Sequence, residues 1–315
     1  MNYLPKNLNF KEGIAYIGET SLTDVAKNYG TPLYVYDWEH LKDNIDSFTE
    51  AFGKETLFRY AAKAFISKAL VKELEEKGWG VDVVSGGEMA TVQETVGTLE
   101  NTVFNGTFKR TDEIEYFIQN NGGHISIDNR YEIEMLEKAA SSLKKKQPVI
   151  MRINLDVGAE THPMVLTSGY DQQFGISISF AEEALNQIAS SKSLLFSGIH
   201  VHIGSQIKDP ERYKLAMSSC SEFMNSNLEK VEGEAVFNAG GGFFSPYAGE
   251  EVDHELSVYS KAIHDGIKEH WGEGYKIMIE PGRALVNNPG VILYTAGAIK
   301  ADRGDKPYIL VDGGM

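Results

Sequence analysis

The feature that most constrains the fold is an alternation of short apolar runs with helix-like stretches along most of the chain. Eight strand-like runs can be identified between about residue 39 and Arg283, and stretches with helical spacing of apolar residues separate most of them. Eight strand–helix units over roughly 250 residues are what a (β/α)8 barrel requires. The predicted strands are residues 57–63, 80–85, 101–105, 124–128, 149–154, 198–202, 235–239 and 276–280.

The stretches between these runs predict the helices of the barrel. In residues 67–77, for example, Leu70, Val71 and Leu74 share one face and Gly78 follows the last turn. An open, doubly wound α/β sheet is the structural alternative, but the glycine run after the seventh strand does not match the dinucleotide-binding fingerprint. We therefore predict an α/β protein built on a TIM-type barrel. The other predicted barrel helices are residues 112–120, 130–145, 179–190 and 211–228.

Both ends of the chain differ in pattern from this repeat. Near the N-terminus, residues 13–18 and 31–37 are strand-like and flank a predicted helix at 21–30. Residues 290–299 and 307–312 are also β-like, joined by a charged turn. We predict a β-rich second domain formed by both chain ends. Its N-terminal part would be 1–36, the barrel 37–284, and the start of a C-terminal β domain, which we interpret as truncated and incomplete, 285–315.

Composition excludes several classes of protein. Lys and Arg total 30 against 45 Asp and Glu, a formal net charge of -15, which disfavours binding to nucleic acid or to an anionic membrane. The single cysteine, Cys220, rules out an internal disulfide framework and suits a reducing compartment. No run is long enough to span a membrane, and the N-terminal residues do not resemble a signal peptide. We expect a cytoplasmic protein.

Polar residues and glycines follow each predicted barrel strand. Because catalytic groups of such barrels sit at the C-terminal strand ends, these residues are expected to form a ring around one mouth. Each taken singly has an ordinary structural explanation, such as a solvated lysine, a flexible glycine loop or a surface ion pair. The ring comprises Lys63, Asp82, Ser85, Gly86, Gly87, Asn105, Gly106, Asp128, Asn129, Arg152, Asn154, His200, His202, Gly204, Ser205, Gly240, Gly241, Gly242, Glu280, Pro281, Gly282 and Arg283.

Together these groups match the requirements of pyridoxal phosphate. A lysine amine can form a Schiff base with its aldehyde, backbone N–H groups and an arginine can hold its phosphate, and a carboxylate can face its ring nitrogen. His200 and His202 alternate on a predicted strand, so we expect one to face the mouth and the other the surrounding helices. They diverge and no further ligands lie at the right spacing, so they do not predict a metal site.

The chain resembles the fold-type III pyridoxal-phosphate-dependent decarboxylases, and among them most closely the diaminopimelate decarboxylase family. The resemblance extends from about Leu22 to the last residue. It is carried by Gly30-Thr-Pro-Leu-Tyr-Val-Tyr-Asp37, Tyr60-Ala-Ala-Lys-Ala64, Asp82-Val-Val-Ser-Gly-Gly-Glu88, Thr161-His-Pro163, His200-Val-His-Ile-Gly-Ser-Gln206, Gly240-Gly-Gly242, Glu280-Pro-Gly-Arg283 and Val311-Asp-Gly-Gly-Met315.

The resemblance implies a carboxy-lyase that converts meso-diaminopimelate to L-lysine and carbon dioxide in lysine biosynthesis, and a homodimer in intact relatives. It implies that Lys63 carries the Schiff base and returns a proton, that His202 stacks on the cofactor ring and that Glu280 contacts the ring nitrogen. Asp82 would lie near the lysine. Phosphate binding is implied for Ser205, Gly240, Gly241, Gly242 and the backbone around Pro281 and Gly282, and contact with the phosphate or a substrate carboxylate for Arg283.

The sequence departs from the family pattern in places. Gln173 stands where the family has lysine before Phe-Gly, and Asn238 and Gly158 stand where acidic residues are common. The family continues after Asp-Gly-Gly-Met into a β domain that supplies substrate-binding residues. Two further functions therefore stay open: decarboxylation of ornithine, lysine or a carrier-linked acyl group, and binding of pyridoxal phosphate without catalysis. Alanine racemases share the fold class, but Glu280 favours the stronger electron withdrawal of a decarboxylase.

Overall fold

The computed structural model describes residues 3–155, 173–251, 254–301 and 306–314. Gly158 and the Thr161-His-Pro163 motif lie outside the described residues. In chain order the elements are β1 (Leu8–Lys11), β2 (Ile14–Ile17), β3 (Thr20–Ser21), α1 (Leu22–Tyr29), β4 (Leu33–Tyr36), α2 (Trp38–Phe52), β5 (Leu57–Ala61), α3 (Lys68–Glu76), β6 (Gly80–Val83), α4 (Gly86–Val96), β7 (Thr102–Phe104), α5 (Thr111–Gln119), β8 (His124–Ile127), α6 (Arg130–Ser142), β9 (Gln147–Asn154), β10 (Ile176–Ser177), α7 (Ile178–Ala189), β11 (Leu194–His200), α8 (Glu211–Asn225), β12 (Ala235–Asn238), α9 (Leu256–Trp271), β13 (Tyr275–Ile279), α10 (Arg283–Val286), β14 (Gly290–Leu293), β15 (Ala296–Lys300) and β16 (Tyr308–Val311), with 3₁₀ turns at Ala62–Ala64 and Leu228–Lys230.

The chain divides into two compact units. One unit comprises residues 47–244 and 253–283 and contains the barrel. The other comprises residues 1–46, 245–252 and 284–315, so it draws on both chain ends. Among the described residues, no helix combines the length and apolar character needed to cross a bilayer.

The larger unit is a closed parallel barrel. In the described part of the chain, eight parallel strands follow one another in the order β5, β6, β7, β8, β9, β11, β12 and β13. The ring closes because β13 pairs with β5, where Met278 lies opposite Leu57 and Ile279 opposite Phe58. The predicted (β/α)8 barrel and its eight strands are confirmed, and the open-sheet alternative is wrong because an open sheet leaves its outer strands unpaired.

Burial on both faces explains why these short runs become barrel strands. Every residue of β6, β7 and β12 is buried, as expected for parallel strands covered by helices outside and by side chains within. Val103, Ile150, Val236 and Met278, from four different strands, pack together in one core cluster. The barrel interior is therefore filled with side chains, which leaves the mouth of the barrel as the place where a small molecule can bind.

Several polar residues at strand ends cap helices. Ser85 accepts a hydrogen bond from the backbone N–H of Glu88 at the start of α4, and Asn129 accepts one from Glu132 at the start of α6. Gly86 and Gly87, which we expected in the mouth loop, are the first residues of α4. These positions in the predicted ring thus shape the strand-to-helix turns. Helices α2, α4 and α9 were not assigned from the sequence.

The smaller unit contains antiparallel β structure. β1, β2 and β3 form one small sheet, β4 pairs with β14, and β15 pairs with β16. The predicted strand 290–299 is two strands, because the chain breaks at Tyr294 and Thr295 between β14 and β15. β1 was not predicted from the sequence.

Candidate active site

Lys63 lies at the mouth, just beyond the end of β5. The strand ends at Ala61, two residues earlier than predicted, and Lys63 occupies a 3₁₀ turn that turns the chain toward α3. Its side chain is 55% exposed, and its Nζ lies 3.8 Å from Oδ2 of the fully buried Asp82 at the end of β6. The lysine is therefore open to a small molecule while its amine faces a carboxylate.

Asp82 and Glu280 form a buried pair of carboxyl groups, linked by one amide. The Asn105 Nδ2 atom donates to Asp82 Oδ1 at 2.7 Å and to Glu280 Oε1 at 2.8 Å. Burial, reinforced by repulsion from Glu280, raises the pKa of Asp82 to about 7, although Lys63 and Asn105 oppose the shift. A pKa near 7 leaves Asp82 partly protonated near neutral pH, beside the lysine amine.

Glu280 follows β13 and is held in its ionised form. Its Oε1 accepts a second hydrogen bond, at 2.6 Å, from Asn238 Nδ2, and its Oε2 lies 3.3 Å from His200 Nε2. Burial alone would raise the pKa of Glu280, but His200, Lys63 and the Asn238 amide favour the charged form and hold the pKa below its usual range. A buried carboxylate is thus fixed through one oxygen, Oε1.

The two histidines do not point to opposite faces as we expected. β11 ends at His200, so the alternation of a strand does not extend to His202. His200 points into the barrel, where Nδ1 lies 2.9 Å from Ser126 Oγ and Nε2 approaches Glu280. His202 lies in the following loop, where its Nδ1 accepts the Gly241 N–H at 3.3 Å.

Burial lowers the pKa of both imidazoles, and His202 is neutral at physiological pH. Burial, reinforced by Lys63 and Arg152, lowers the pKa of His202 to about 3, and burial also lowers the pKa of His200 against the attraction of Glu280. Because Nδ1 of His202 accepts a hydrogen bond, its ring proton resides on Nε2. A neutral ring of this kind can lie against a flat aromatic ligand without adding charge.

Gly240, Gly241 and Gly242 form a tight turn after β12 that admits no side chain. A Cβ on Gly241 would lie 2.2 Å from the Glu280 carbonyl oxygen, and one on Gly242 would lie 2.2 Å from the Gly204 carbonyl oxygen. Gly240 and Gly242 also have φ values of +67° and +95°, which disfavour other residues. The turn brings the predicted glycine run against the loop that carries Ser205.

Hydrogen bonds tie this turn to the neighbouring strand ends. The Asn238 Oδ1 atom accepts the Gly240 N–H at 2.9 Å, and the Gly240 carbonyl accepts the Glu280 N–H at 2.8 Å. The Tyr213 hydroxyl donates to the Gly241 carbonyl at 2.8 Å. The glycine backbone and the Glu280 carboxylate therefore have fixed relative positions.

The remaining predicted residues lie around the same mouth. Ser205 is exposed in the loop after β11, and Arg283 is exposed at the first position of α10. Pro281 accepts the Ala61 N–H through its carbonyl at 3.0 Å, which joins the end of β13 to the end of β5. Gly282 is buried, and a Cβ there would lie 3.0 Å from the Ala61 Cβ. A side chain at Gly282 would therefore crowd the turn that carries Lys63.

A second charged group flanks the mouth near the end of β9. Arg152 Nη1 pairs with Asp128 Oδ1 at 3.2 Å, and its guanidinium carbon lies 4.7 Å from the Phe174 ring centroid. The Gly175 N–H also reaches Asp128 Oδ1, at 3.2 Å. A small cavity at this point is lined by Arg152, Asn154, Phe174 and His202, among others. Arg152 therefore places a cation next to the predicted ring-stacking histidine.

Four residues at the core of this site were not among the predicted site residues. They are Asn105, Asn238, His200 and Arg152, which lie at, just after or within two residues of the ends of barrel strands. The sequence placed them in the ring of strand ends, except for Asn238, which it marked only as a departure from the family pattern. Their roles depend on contacts across the barrel, which no local pattern encodes.

The residues at the barrel mouth fit pyridoxal phosphate as a ligand. The mouth offers an exposed amine, an ionised carboxylate buried beyond the reach of bulk water, a neutral imidazole and a glycine turn with no Cβ to block close approach. Within the described residues, Asp82 Oδ2 and His200 Nε2 are buried without a hydrogen bond of good geometry. Buried polar atoms left in this way indicate a site completed by a polar ligand.

Comparisons with known proteins agree with this chemistry. Residues 38–287 match the family described as "Pyridoxal-dependent decarboxylase, pyridoxal binding domain". The chain is 35% identical to diaminopimelate decarboxylase from Bacillus subtilis (strain 168), over 97% of this chain and 72% of that protein. It is 32% identical to diaminopimelate decarboxylase from Aquifex aeolicus (strain VF5), over 98% and 72%.

Solved structures give the same result. The crystal structure of diaminopimelate decarboxylase from M. jannaschii superposes with a TM-score of 0.89 at 29% identity, covering 98% of this chain and 74% of the other. The Helicobacter pylori enzyme complexed with L-lysine gives 0.83 at 28%, covering 93% and 73%. Lysine decarboxylase from Selenomonas ruminantium, 21% identical, shares the fold. The chain therefore belongs to the diaminopimelate decarboxylase family of pyridoxal-dependent decarboxylases.

Proposed function

We propose that this protein is a pyridoxal-phosphate-dependent carboxy-lyase that releases carbon dioxide from meso-diaminopimelate and forms L-lysine. The observation that carries the proposal is the buried, ionised Glu280 at the same barrel mouth as the exposed Lys63, the two residues following the paired strands β13 and β5. Bound pyridoxal phosphate supplies an electron sink for the carbanion left when carbon dioxide departs. The remaining requirements fall to residues of this chain.

Lys63 would supply the amine that binds the cofactor, and Asp82 would exchange protons with that amine. The Nζ atom of Lys63 would hold the cofactor through its aldehyde carbon, and the same amine would supply the proton that takes the place of the lost carboxyl group. Asp82, with its pKa raised to about 7, can take a proton from or return one to the neighbouring amine. The Nζ and Oδ2 atoms lie 3.8 Å apart, which is longer than a hydrogen bond, so this exchange requires Lys63 to approach Asp82 more closely.

Glu280, His202 and the glycine turn would bind and orient the cofactor. Glu280 would face the ring nitrogen, where its negative charge keeps a proton on that nitrogen. His202, neutral and held at Nδ1 by the Gly241 N–H, would lie against the ring face. Backbone N–H groups of the glycine turn, with Ser205 and the Gly282 backbone, would hold the phosphate, as we propose from their common position.

The proposal also covers the role of Arg283, the oligomeric state and the location of the protein in the cell. We place Arg283 beside the phosphate or a substrate carboxylate, and we place the protein in the cytoplasm as a homodimer. We also keep residues 37–284 as the cofactor-binding domain, which the family match over residues 38–287 supports. Sedimentation at several protein concentrations tests the dimer, and a single monomeric species at all of them would contradict it.

Substrate turnover tests the proposed function. The protein loaded with pyridoxal phosphate is incubated separately with meso-diaminopimelate, L-ornithine and L-lysine, while carbon dioxide and amine products are quantified. We expect carbon dioxide and L-lysine in equal amounts from meso-diaminopimelate alone. Turnover of L-ornithine or L-lysine in its place would favour the other decarboxylases. Binding of the cofactor with no carbon dioxide from any amino acid would show a non-catalytic binder.

A further inference from the structure

Asn105 lies between the two buried carboxyl groups of the site. It follows β7, whereas Asp82 lies in the neighbouring β6 and Glu280 follows β13, two strands away around the barrel from β6. Its Nδ2 atom is 2.7 Å from Asp82 Oδ1 and 2.8 Å from Glu280 Oε1. An amide nitrogen carries two protons, so one can be donated to each carboxyl group.

The arrangement is directional at both carboxyl groups. Glu280 Oε1 accepts from both Asn105 and Asn238, so Oε2 is the oxygen left with only the 3.3 Å approach of His200 Nε2. Asp82 accepts from Asn105 through Oδ1, and its other oxygen, Oδ2, is the one that faces Lys63. The amide of Asn105 therefore leaves the second oxygen of each carboxyl group facing a different neighbour, Lys63 for Asp82 and His200 for Glu280.

We propose that Asn105 is a positioning residue that sets how Asp82 and Glu280 share negative charge and which oxygen of each faces the reaction. An amide suits this task because it cannot ionise, so it donates to both groups at every pH. A histidine or lysine there would change charge or add a cation. An aspartate there would add a third negative charge to a buried pair that already repels itself.

Other charged groups around the pair act on one member or on both. Lys63 favours the ionised form of both carboxyl groups, and Glu88 disfavours that of Asp82. Of the two carboxyl groups, His200 contacts only that of Glu280. The buried Arg59 also interacts electrostatically with Glu280. Of the groups described, Asn105 is the one that contacts both carboxyl groups directly. Its loss should therefore alter the balance between them.

The charge sharing can be measured without the cofactor. In the apoprotein labelled with ¹³C at Asp and Glu carboxyl carbons, Asp82 is followed by NMR across pH, with its signal assigned by Asp82→Asn. Asn105→Leu removes the donor while keeping the branched shape of the side chain, and we expect the Asp82 titration to move up by about one pH unit or more, the value of one hydrogen bond to a charged group. Asn105→Ser, which retains a smaller donor, should give an intermediate shift.

A matched control separates positioning from the general cost of losing a buried amide. Asn227 is also buried, and its Nδ2 donates to the Phe223 carbonyl at the end of α8, away from the mouth. Asn227→Leu should leave the Asp82 titration where it is in the parent protein. An unchanged titration in both Asn105 variants, or an equal shift in Asn227→Leu, would overturn the proposal.

A kinetic arm rests on the proposed function. With meso-diaminopimelate and loaded enzyme, Asn105→Leu should lower kcat about tenfold or more, move the acid limb of the kcat profile upward, and change KM little. A loss confined to KM, with the pH profile unchanged, would contradict a positioning role. If the parent protein turns over no amino acid, the proposed function fails while the NMR result still decides the role of Asn105.

Discussion

Lys109 and Glu132 form a fully buried ion pair on the same side of the barrel as the mouth, and removing one partner should strongly destabilise the protein. The side chains are 0% and 3% exposed, and Lys109 Nζ lies 2.9 Å and 3.2 Å from the two carboxylate oxygens of Glu132. Nζ also donates to the Gly106 carbonyl at 2.8 Å. The change considered is Lys109→Met, which keeps most of the side-chain volume but removes the charge.

The expected cost follows from what Lys109→Met leaves behind. Glu132 would remain buried with its charge uncompensated, and its Oε2 would keep only the Asp128 N–H at 3.0 Å. Burial already raises the pKa of Glu132, with Lys109 opposing the shift, so loss of the lysine should raise it further. Breaking a buried pair in this way costs about 3–5 kcal/mol of unfolding free energy.

The assay is urea unfolding at pH 7 followed by tryptophan fluorescence, with three variants compared. The double variant Lys109→Met with Glu132→Leu should recover much of the loss, because neither charge is left buried alone. The control is Lys68→Met, whose ion pair with Glu94 is 63% and 62% exposed and should change stability by less than about 1 kcal/mol. A cost for Lys109→Met no larger than that for Lys68→Met would refute this account of the pair.

Three further predictions concern the mouth itself. Glu280→Gln keeps an oxygen to accept from its two amide donors but loses the charge, and should lower kcat with meso-diaminopimelate by about 100-fold or more in steady-state assays. Gly241→Ala places a Cβ 2.2 Å from the Glu280 carbonyl oxygen, and it should weaken pyridoxal phosphate binding, measured by titration, about tenfold or more. The control is Gly87→Ala, whose Cβ would meet open space and which should leave pyridoxal phosphate binding unchanged. Asp82, whose pKa is raised from 3.8 to about 7, keeps a proton when folded that the unfolded chain releases, so apoprotein stability should fall as pH rises between these values. Asp82→Asn should remove that fall when urea midpoints are compared at pH 5 and pH 8, and an unchanged pH dependence would contradict the shift.

Local pattern was enough to predict the barrel. Most of the strands are short runs buried on both faces, and most are followed by an amphipathic helix, in several cases with a polar N-cap residue, so the repeat can be recognised from the sequence alone. Of the missed helices, α2 and α9 are amphipathic, whereas α4 has a weak local signal. α4 begins with two glycines, Gly86 and Gly87, which are poor helix formers, and its N-cap Ser85 looked like a loop residue.

The arrangement inside the mouth could be predicted only in part. Strand ends gave Lys63, Asp82 and Glu280, because the barrel brings those ends to one side whatever the details. The directions of side chains depend on where each strand stops. β11 ends at His200, so His202 lies outside the strand, and the two side chains do not point to opposite faces as the strand alternation predicted. The Asn105 bridge joins residues 23 and 175 positions apart, a separation that no local spacing encodes.

The most direct test of the account is to find which lysine holds the cofactor. The protein loaded with pyridoxal phosphate is reduced with borohydride, which fixes the cofactor to its lysine, and then digested and mapped by mass spectrometry. The account predicts a single pyridoxyl group, placed by fragmentation of the labelled peptide on Lys63 and not on the nearby Lys68, and no pyridoxyl group after Lys63→Ala. A pyridoxyl group on another lysine, or an unlabelled protein that still decarboxylates meso-diaminopimelate, would contradict it.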